Sequence, residues 1–129
     1  MNLKLRNMTG VYLRRGNELL LLYRIGSKII ANSFTAAAGG HFEKEELNDA
    51  RACVLRELYE ETGLTELDID NLALRYVTLR LKNGEIRQNF YFFADLKNSE
   101  KEAVSNEGEL KWFQIKELSD NMPEIPFSA

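Results

Sequence analysis

A single change of hydrophobic period divides the chain. Leu47, Ala50, Val54 and Leu58 recur every three or four residues up to Thr62, the spacing of an amphipathic helix. Asn48 or Glu46 lies near its start, and Gly63 can supply the left-handed residue that ends it. On either side the pattern is that of strands. Val11 to Leu13 gives way to the turn Arg14-Arg15-Gly16-Asn17 and then to Glu18 through Arg24, which reads as a hairpin. Gly26 to Ser33 reads as a loop, and Phe34 to Ala38 as a short extended piece running into Gly39-Gly40. After the helix, residues 72–81 and 86–96 are aromatic, branched and alternating. They are joined by Lys82-Asn83-Gly84-Glu85, and Asn-Gly between such runs is a strong hairpin signal. Residues 97–108 form a polar loop, 109–115 a strand containing Trp112, and 115–118 at most one helical turn. One long helix between strands places the chain in the mixed α/β class.

The 129 residues, 44% of them hydrophobic, suit one compact domain over positions 1–129. The longest apolar runs are a few residues, far short of the ~20 needed to span a bilayer, and the N-terminus alternates Leu with Lys and Arg. No membrane partner and no signal peptide are therefore expected. Cys53 is the sole cysteine, which excludes an internal disulfide or a multi-cysteine zinc site and fits a reducing cytoplasm. It reads as a packed small thiol. A net charge of −3 argues against a protein that holds nucleic acid polymers by general electrostatics. A small anionic substrate is compatible with it when metal ions bridge the substrate to carboxylates.

At about 100° per residue, Glu57, Glu60 and Glu61 fall within one arc of the helix, at the edge of the Val54–Leu58 stripe. Carboxylates that close raise one another's pKa, and something should compensate. A hard divalent cation does so directly, because it prefers carboxylate oxygens and completes its shell with water and phosphate oxygens. Taken alone, an E-x-x-E-E helix is most often a solvated acidic face.

The surroundings change that reading. Gly39-Gly40-His41-Phe42-Glu43-Lys44-Glu45-Glu46, followed by Arg56-Glu57-Leu58-Tyr59-Glu60-Glu61-Thr62-Gly63-Leu64, resembles the box of the Nudix hydrolases, G-x5-E-x7-R-E-U-x-E-E-x-G-U, with U aliphatic. Gly40 and Glu46 match its first half, and residues 56–64 match every fixed position of its second. There are two departures. Nine residues, Leu47 to Leu55, separate Glu46 from Arg56 where the pattern has seven, so Glu43, Glu45 or Glu46 could be the partner of Arg56. Ala38 stands where a proline often precedes the glycine pair.

The resemblance, MutT-like, implies an α/β/α sandwich: a mixed sheet with the box helix on one face and a C-terminal helix on the other. This chain stops at Ala129 near where that second helix would begin. Either the chain continues, or a second subunit, as in a homodimer, covers the face. The resemblance also implies Mg²⁺, with Mn²⁺ as the alternative ion, held by Glu57, Glu60, Glu61 and a backbone carbonyl of Gly39-Gly40, with Arg56 orienting the carboxylates. The reaction implied is attack of metal-activated water on a nucleoside diphosphate linked to a group X. Glu57 and Glu107 are the two candidates for general base, Glu107 because 106–112 resembles a loop-then-strand segment that carries such a glutamate. An exposed acidic loop is the competing reading of Glu107.

Arg24 and His41 are candidate phosphate contacts, each with an ordinary structural role as the alternative. Tyr91, Phe93 and Trp112 could stack a base, but aromatics in strands are more often core. Leu79-Arg80-Leu81-Lys82 stands where relatives that act on diadenosine polyphosphates or ADP-ribose tend to carry tyrosine or proline, which leans toward a nucleoside triphosphate, oxidised or not. A non-catalytic Nudix module that binds a nucleotide is the alternative from another class. The intact glutamate set counts against it.

Overall fold

The computed structural model describes residues 4–24, 33–97 and 104–116. Strand β1 (Lys4–Arg15) turns at Gly16-Asn17 into β2 (Glu18–Arg24), and β3 (Ser33–Ala36) and β4 (Ala38–His41) follow. A 3-10 turn at Lys44–Glu46 precedes helix α1 (Ala50–Thr62). A second 3-10 turn leads into β5 (Ile69–Lys82), β6 (Glu85–Leu96) and β7 (Glu109–Gln114). The sheet runs β3-β2-β1-β6-β5, with β4 added to β1 and β7 to β2. It is mixed, because β1 and β6 pair in parallel from Lys4↔Glu85 to Arg14↔Asp95 while every other pair is antiparallel. The α/β Nudix fold expected from the box is the fold observed.

The Asn-Gly hairpin is as expected. Asn83 and Gly84 both have positive φ, 52° and 73°, the geometry of a turn whose twist matches its strands. The helix also ends where expected, at Gly63 with φ 77°, whose N–H donates to the Tyr59 carbonyl. Its start differs. Asp49 is the N-cap, its side chain accepting from the Ala52 N–H at 3.0 Å, and Leu47 lies outside the helix, 58% exposed. Two turns precede the helix: the Glu46 N–H donates to the Glu43 carbonyl and the Asp49 N–H to the Glu46 carbonyl, the second within the segment that is two residues longer than the box pattern.

α1 buries Val54 and Leu58 against Val11, Leu13, Leu20, Phe92 and Ala94 on one sheet face, each such side chain contributing ~1.5–3 kcal/mol. On the opposite face Tyr12, Leu19, Leu21 and Tyr91 form a second cluster with Tyr76, Phe93 and Phe113 packed on it. Past the reach of α1 the first face continues as an exposed apolar strip of Leu5, Leu79 and Leu81. The expected C-terminal helix falls on residues outside those described. Among the described residues no helix is long and apolar enough to cross a membrane.

Candidate active site

Two glycines let the loop and the helix meet. β4 lies so close to β1 that a Cβ on Gly39 would collide with the Thr9 carbonyl and sit 2.8 Å from the Gly10 Cα. A Cβ on Gly40 would lie 2.5 Å from the carboxyl carbon of Glu57. The glutamates of α1 are thereby brought under the glycine loop, and the Gly39 N–H donates to Oε2 of Glu61 at 3.0 Å.

Arg56 is the hub on the other side of this contact. Its Nε donates to Glu46 Oε2 at 2.7 Å and one terminal nitrogen to Glu46 Oε1 at 3.0 Å, a two-pronged pair. That nitrogen also donates to the His41 carbonyl at 2.9 Å. The other reaches Glu57 Oε1 at 2.9 Å and Glu60 Oε2 at 2.7 Å, and Glu43 comes within 3.1 Å of Nε. Of the three partners left open by the insertion, Glu46 and Glu43 are therefore the ones in place. These bonds hold the Glu46 carboxyl below its ordinary range and the Arg56 guanidinium well above its own.

The three helix glutamates do not behave alike. Glu60 is half exposed and its carboxylate is taken up by Arg56, one helical turn away. Glu57 is shared between Arg56 and the glycine loop. Glu61 is buried, and its Oε1 has no hydrogen-bond partner among the described residues. Burial first, then the adjoining Glu57 carboxyl, by close contact and by charge, and the Glu107 charge push its pKa up to about 7 against the Gly39 hydrogen bond. Among the described residues, no three carboxylate, imidazole or thiol groups stand close enough to surround an ion in this arrangement. Arg56 holds oxygens of Glu57 and Glu60 and the Gly39 N–H holds Oε2 of Glu61 instead.

Glu107 reaches the site through a residue that the sequence reading passed over. The Asn106 N–H donates to the Glu61 carbonyl at 3.1 Å and its side chain to the Glu60 carbonyl at 3.2 Å, docking the 104–108 loop on the end of α1. His41 is exposed, and burial and then Arg6 hold its imidazole below its ordinary range. Arg24 is the last residue of β2, paired with Ser33. Cys53 is buried, 3.4 Å from the Thr9 hydroxyl, and its pKa is raised to about 11 by burial, so the packed-thiol reading holds. Tyr91 and Phe93 are core, while Trp112 lies under the Arg15 guanidinium at 4.2 Å. A cavity of about 750 Å³ opens elsewhere, between Arg14, Arg75, Tyr76 and Phe93, and of the candidate residues Phe93 alone lines it.

The sequence profile described as NUDIX domain matches residues 4–128. The chain belongs to the NUDIX domain family. With the arginine and glutamates of the box in place, this Nudix domain is a pyrophosphohydrolase. Three solved structures illustrate the likeness. A MutT Nudix hydrolase from Burkholderia pseudomallei has a TM-score of 0.71 at 23% identity, with 96% of this chain and 92% of that one covered. The MutT protein from Methanosarcina mazei Go1 has 0.69 at 20%, covering 99% and 89%. An Ap4A hydrolase from C. elegans, in a binary complex, has 0.69 at 19%, covering 87% and 82%. At these identities the likeness is one of fold. No curated protein sequence matches the chain.

Proposed function

We propose that this Nudix domain, folded as one unit over residues 1–129, hydrolyses a pyrophosphate bond in a small nucleotide, a nucleoside diphosphate linked to X, with the help of Mg²⁺ or Mn²⁺. A nucleoside triphosphate, oxidised or not, is the substrate to which the sequence points. One observation carries the reading: Glu61 is buried beside Glu57, with an oxygen that has no partner among the described residues, under a glycine loop with no room for a side chain. A buried carboxylate with an orphaned oxygen suits a hard cation. Glu57 and Glu61, with a backbone carbonyl of Gly39 or Gly40, would hold the ion, and Glu60 would join them on leaving Arg56. When bound, the ion lowers the pKa of a water and neutralises charge on the leaving phosphate.

The chain's own residues supply the remainder. Arg56 positions Glu57 and Glu60 and anchors them to the His41 carbonyl and Glu46. Glu57 in the cluster, or Glu107 on the loop that Asn106 docks, is proposed to take the proton of the attacking water. Arg24 and His41 are proposed to contact substrate phosphates. A homodimer is also proposed. The exposed strip of Leu5, Leu79 and Leu81 lies on the α1 face, not on the face that a C-terminal helix would cover, so it offers a different surface from the one expected from the sequence. A monomeric mass in solution at high concentration would rule the dimer out. The function is tested by phosphate and pyrophosphate release from a nucleotide panel, with and without Mg²⁺, for the wild type, Glu60→Gln and Glu61→Gln. Metal-dependent turnover reduced in the variants is expected. No metal-dependent turnover, or turnover untouched by both changes, would overturn the proposal.

A further inference from the structure

Cross-strand register brings together three arginines that are far apart in sequence. Arg6 on β1 is opposite Arg87 on β6, and Arg87 is opposite Arg80 on β5. Directly paired residues point to the same sheet face, and like charges so placed destabilise a sheet. The next row on that face is Lys4, Glu85 and Lys82. Glu85 is the only acid in the two rows, and its Oε1 is divided between Arg87 at 2.9 Å and Arg6 at 3.4 Å. Arg80 and Lys82 are exposed and make no ion pair among the described residues. Five cations thus share one carboxylate in a chain whose net charge is −3.

The row lies on the sheet face opposite α1, that of Tyr12 and Tyr91, and comes nearest the active site at the end of β4. His41 pairs with Met8 on β1, two residues from Arg6, which is about 7 Å along the strand. Gly40, the preceding residue, is the one in contact with the Glu57 carboxylate. From Arg6 to Arg80 the row crosses two strand spacings, about 10 Å. Arg6 and Arg87 both act on the His41 imidazole, so their field reaches the loop. A phosphate held at this distance is too far away to belong to the anhydride being cut.

We propose that Arg6, Arg80 and Arg87 bind a further phosphoryl group of the substrate, remote from the scissile anhydride. The enzyme then prefers nucleotides carrying an additional phosphate over the plain triphosphate. The inference rests on the pyrophosphohydrolase reading and names its substrate class. Guanidinium groups take phosphate oxygens two at a time, and adjacent strands present them as a fixed platform. The net negative charge of the chain argues for a small ligand and against a polymer.

The first measurement needs no turnover. Binding of inorganic tripolyphosphate is followed by calorimetry in EDTA, where the acidic metal site repels the anion. Wild type binds. Arg6→Gln and Arg80→Gln each weaken binding about tenfold, the loss expected for one charge-assisted contact. Glu85→Gln tightens it, a result that misfolding cannot imitate, and Arg51→Gln on the surface of α1 leaves it at the wild-type value. No binding, or binding indifferent to Arg6 and Arg80, overturns the proposal whether or not any nucleotide is hydrolysed. The second measurement compares matched pairs with Mg²⁺, ATP against adenosine 5′-tetraphosphate and dephospho-coenzyme A against coenzyme A. The more phosphorylated member is expected to have the lower KM, with Arg80→Gln narrowing the ratio. Equal KM values in wild type overturn the preference. Loss of all turnover with tripolyphosphate binding intact strikes the pyrophosphohydrolase reading instead.

Discussion

Adding one methyl group to either of two adjacent glycines should damage the protein in opposite ways. At Gly40 the atoms nearest the new Cβ are the end of the Glu57 side chain, with the carboxyl carbon at 2.5 Å and its oxygens at 2.6 and 2.7 Å. Carbon atoms rest at about 3.5–4.0 Å, so the carboxylate must retreat by about 1 Å. A flexible side chain can do this at little cost to the fold, but a 1 Å misplacement of a reacting group lowers rates by about 100-fold. At Gly39 the Cβ meets backbone, the Thr9 carbonyl and the Gly10 Cα, and the β1–β4 pairing must open. Overpacking of that kind costs about 1–3 kcal/mol, or several degrees of Tm for a domain of this size. Gly40→Ala should therefore keep a Tm within about 2 °C of wild type and lose about 100-fold in kcat. Gly39→Ala should unfold several degrees lower. Thermal unfolding and Mg²⁺-dependent phosphate release measure both. A fully active Gly40→Ala would refute the placement of Glu57 under the loop, and a Gly39→Ala as stable as wild type would refute the close approach of β4 to β1.

Three further outcomes are expected. A Glu61 pKa raised from 4.5 to about 7 favours the protonated form in the fold, so its contribution is full below pH 4.5 and is lost as pH rises through 7. In EDTA, stability should fall by up to about 3 kcal/mol across that window, and Glu61→Gln should flatten the profile in denaturant titrations at stepped pH. Arg56→Ala leaves buried Glu46 without its two-pronged partner and should cost about 3–5 kcal/mol by urea unfolding, with Arg56→Lys recovering only part of the loss. Cys53, buried and with its thiol raised to about 11, should resist alkylation at pH 8 in the native protein and react fully in denaturant; rapid native labelling would contradict its packing.

What could be read from the sequence was what local chemistry decides. Asn83-Gly84 requires two left-handed residues, Gly63 ends a helix, and Arg56 through Leu64 carries its own spacing. The start of α1 was misplaced because Leu47 fits the helical period, yet it lies in the turn closed by the Asp49 N–H and the Glu46 carbonyl, which leaves it in solvent. The different environments of Glu57, Glu60 and Glu61 were not legible, since they depend on which oxygens Arg56 and the Gly39 N–H capture. Asn106 gave no signal, because its partners are carbonyls at the end of a helix more than forty positions away. The arginine row arises only when β1 pairs in parallel with β6, and positions 6, 80 and 87 share no local pattern.

The central claim is that the buried carboxylates under the glycine loop form a divalent-metal site, and metal binding measures it without a substrate. Titration with Mn²⁺, followed by the loss of its free EPR signal, should show binding by wild type. Glu57→Gln and Glu61→Gln should weaken it at least about tenfold, the loss of one charged ligand interaction, and Glu60→Gln should weaken it less because Arg56 already holds that carboxylate. Equal Mn²⁺ affinity in wild type, Glu57→Gln and Glu61→Gln would contradict the account.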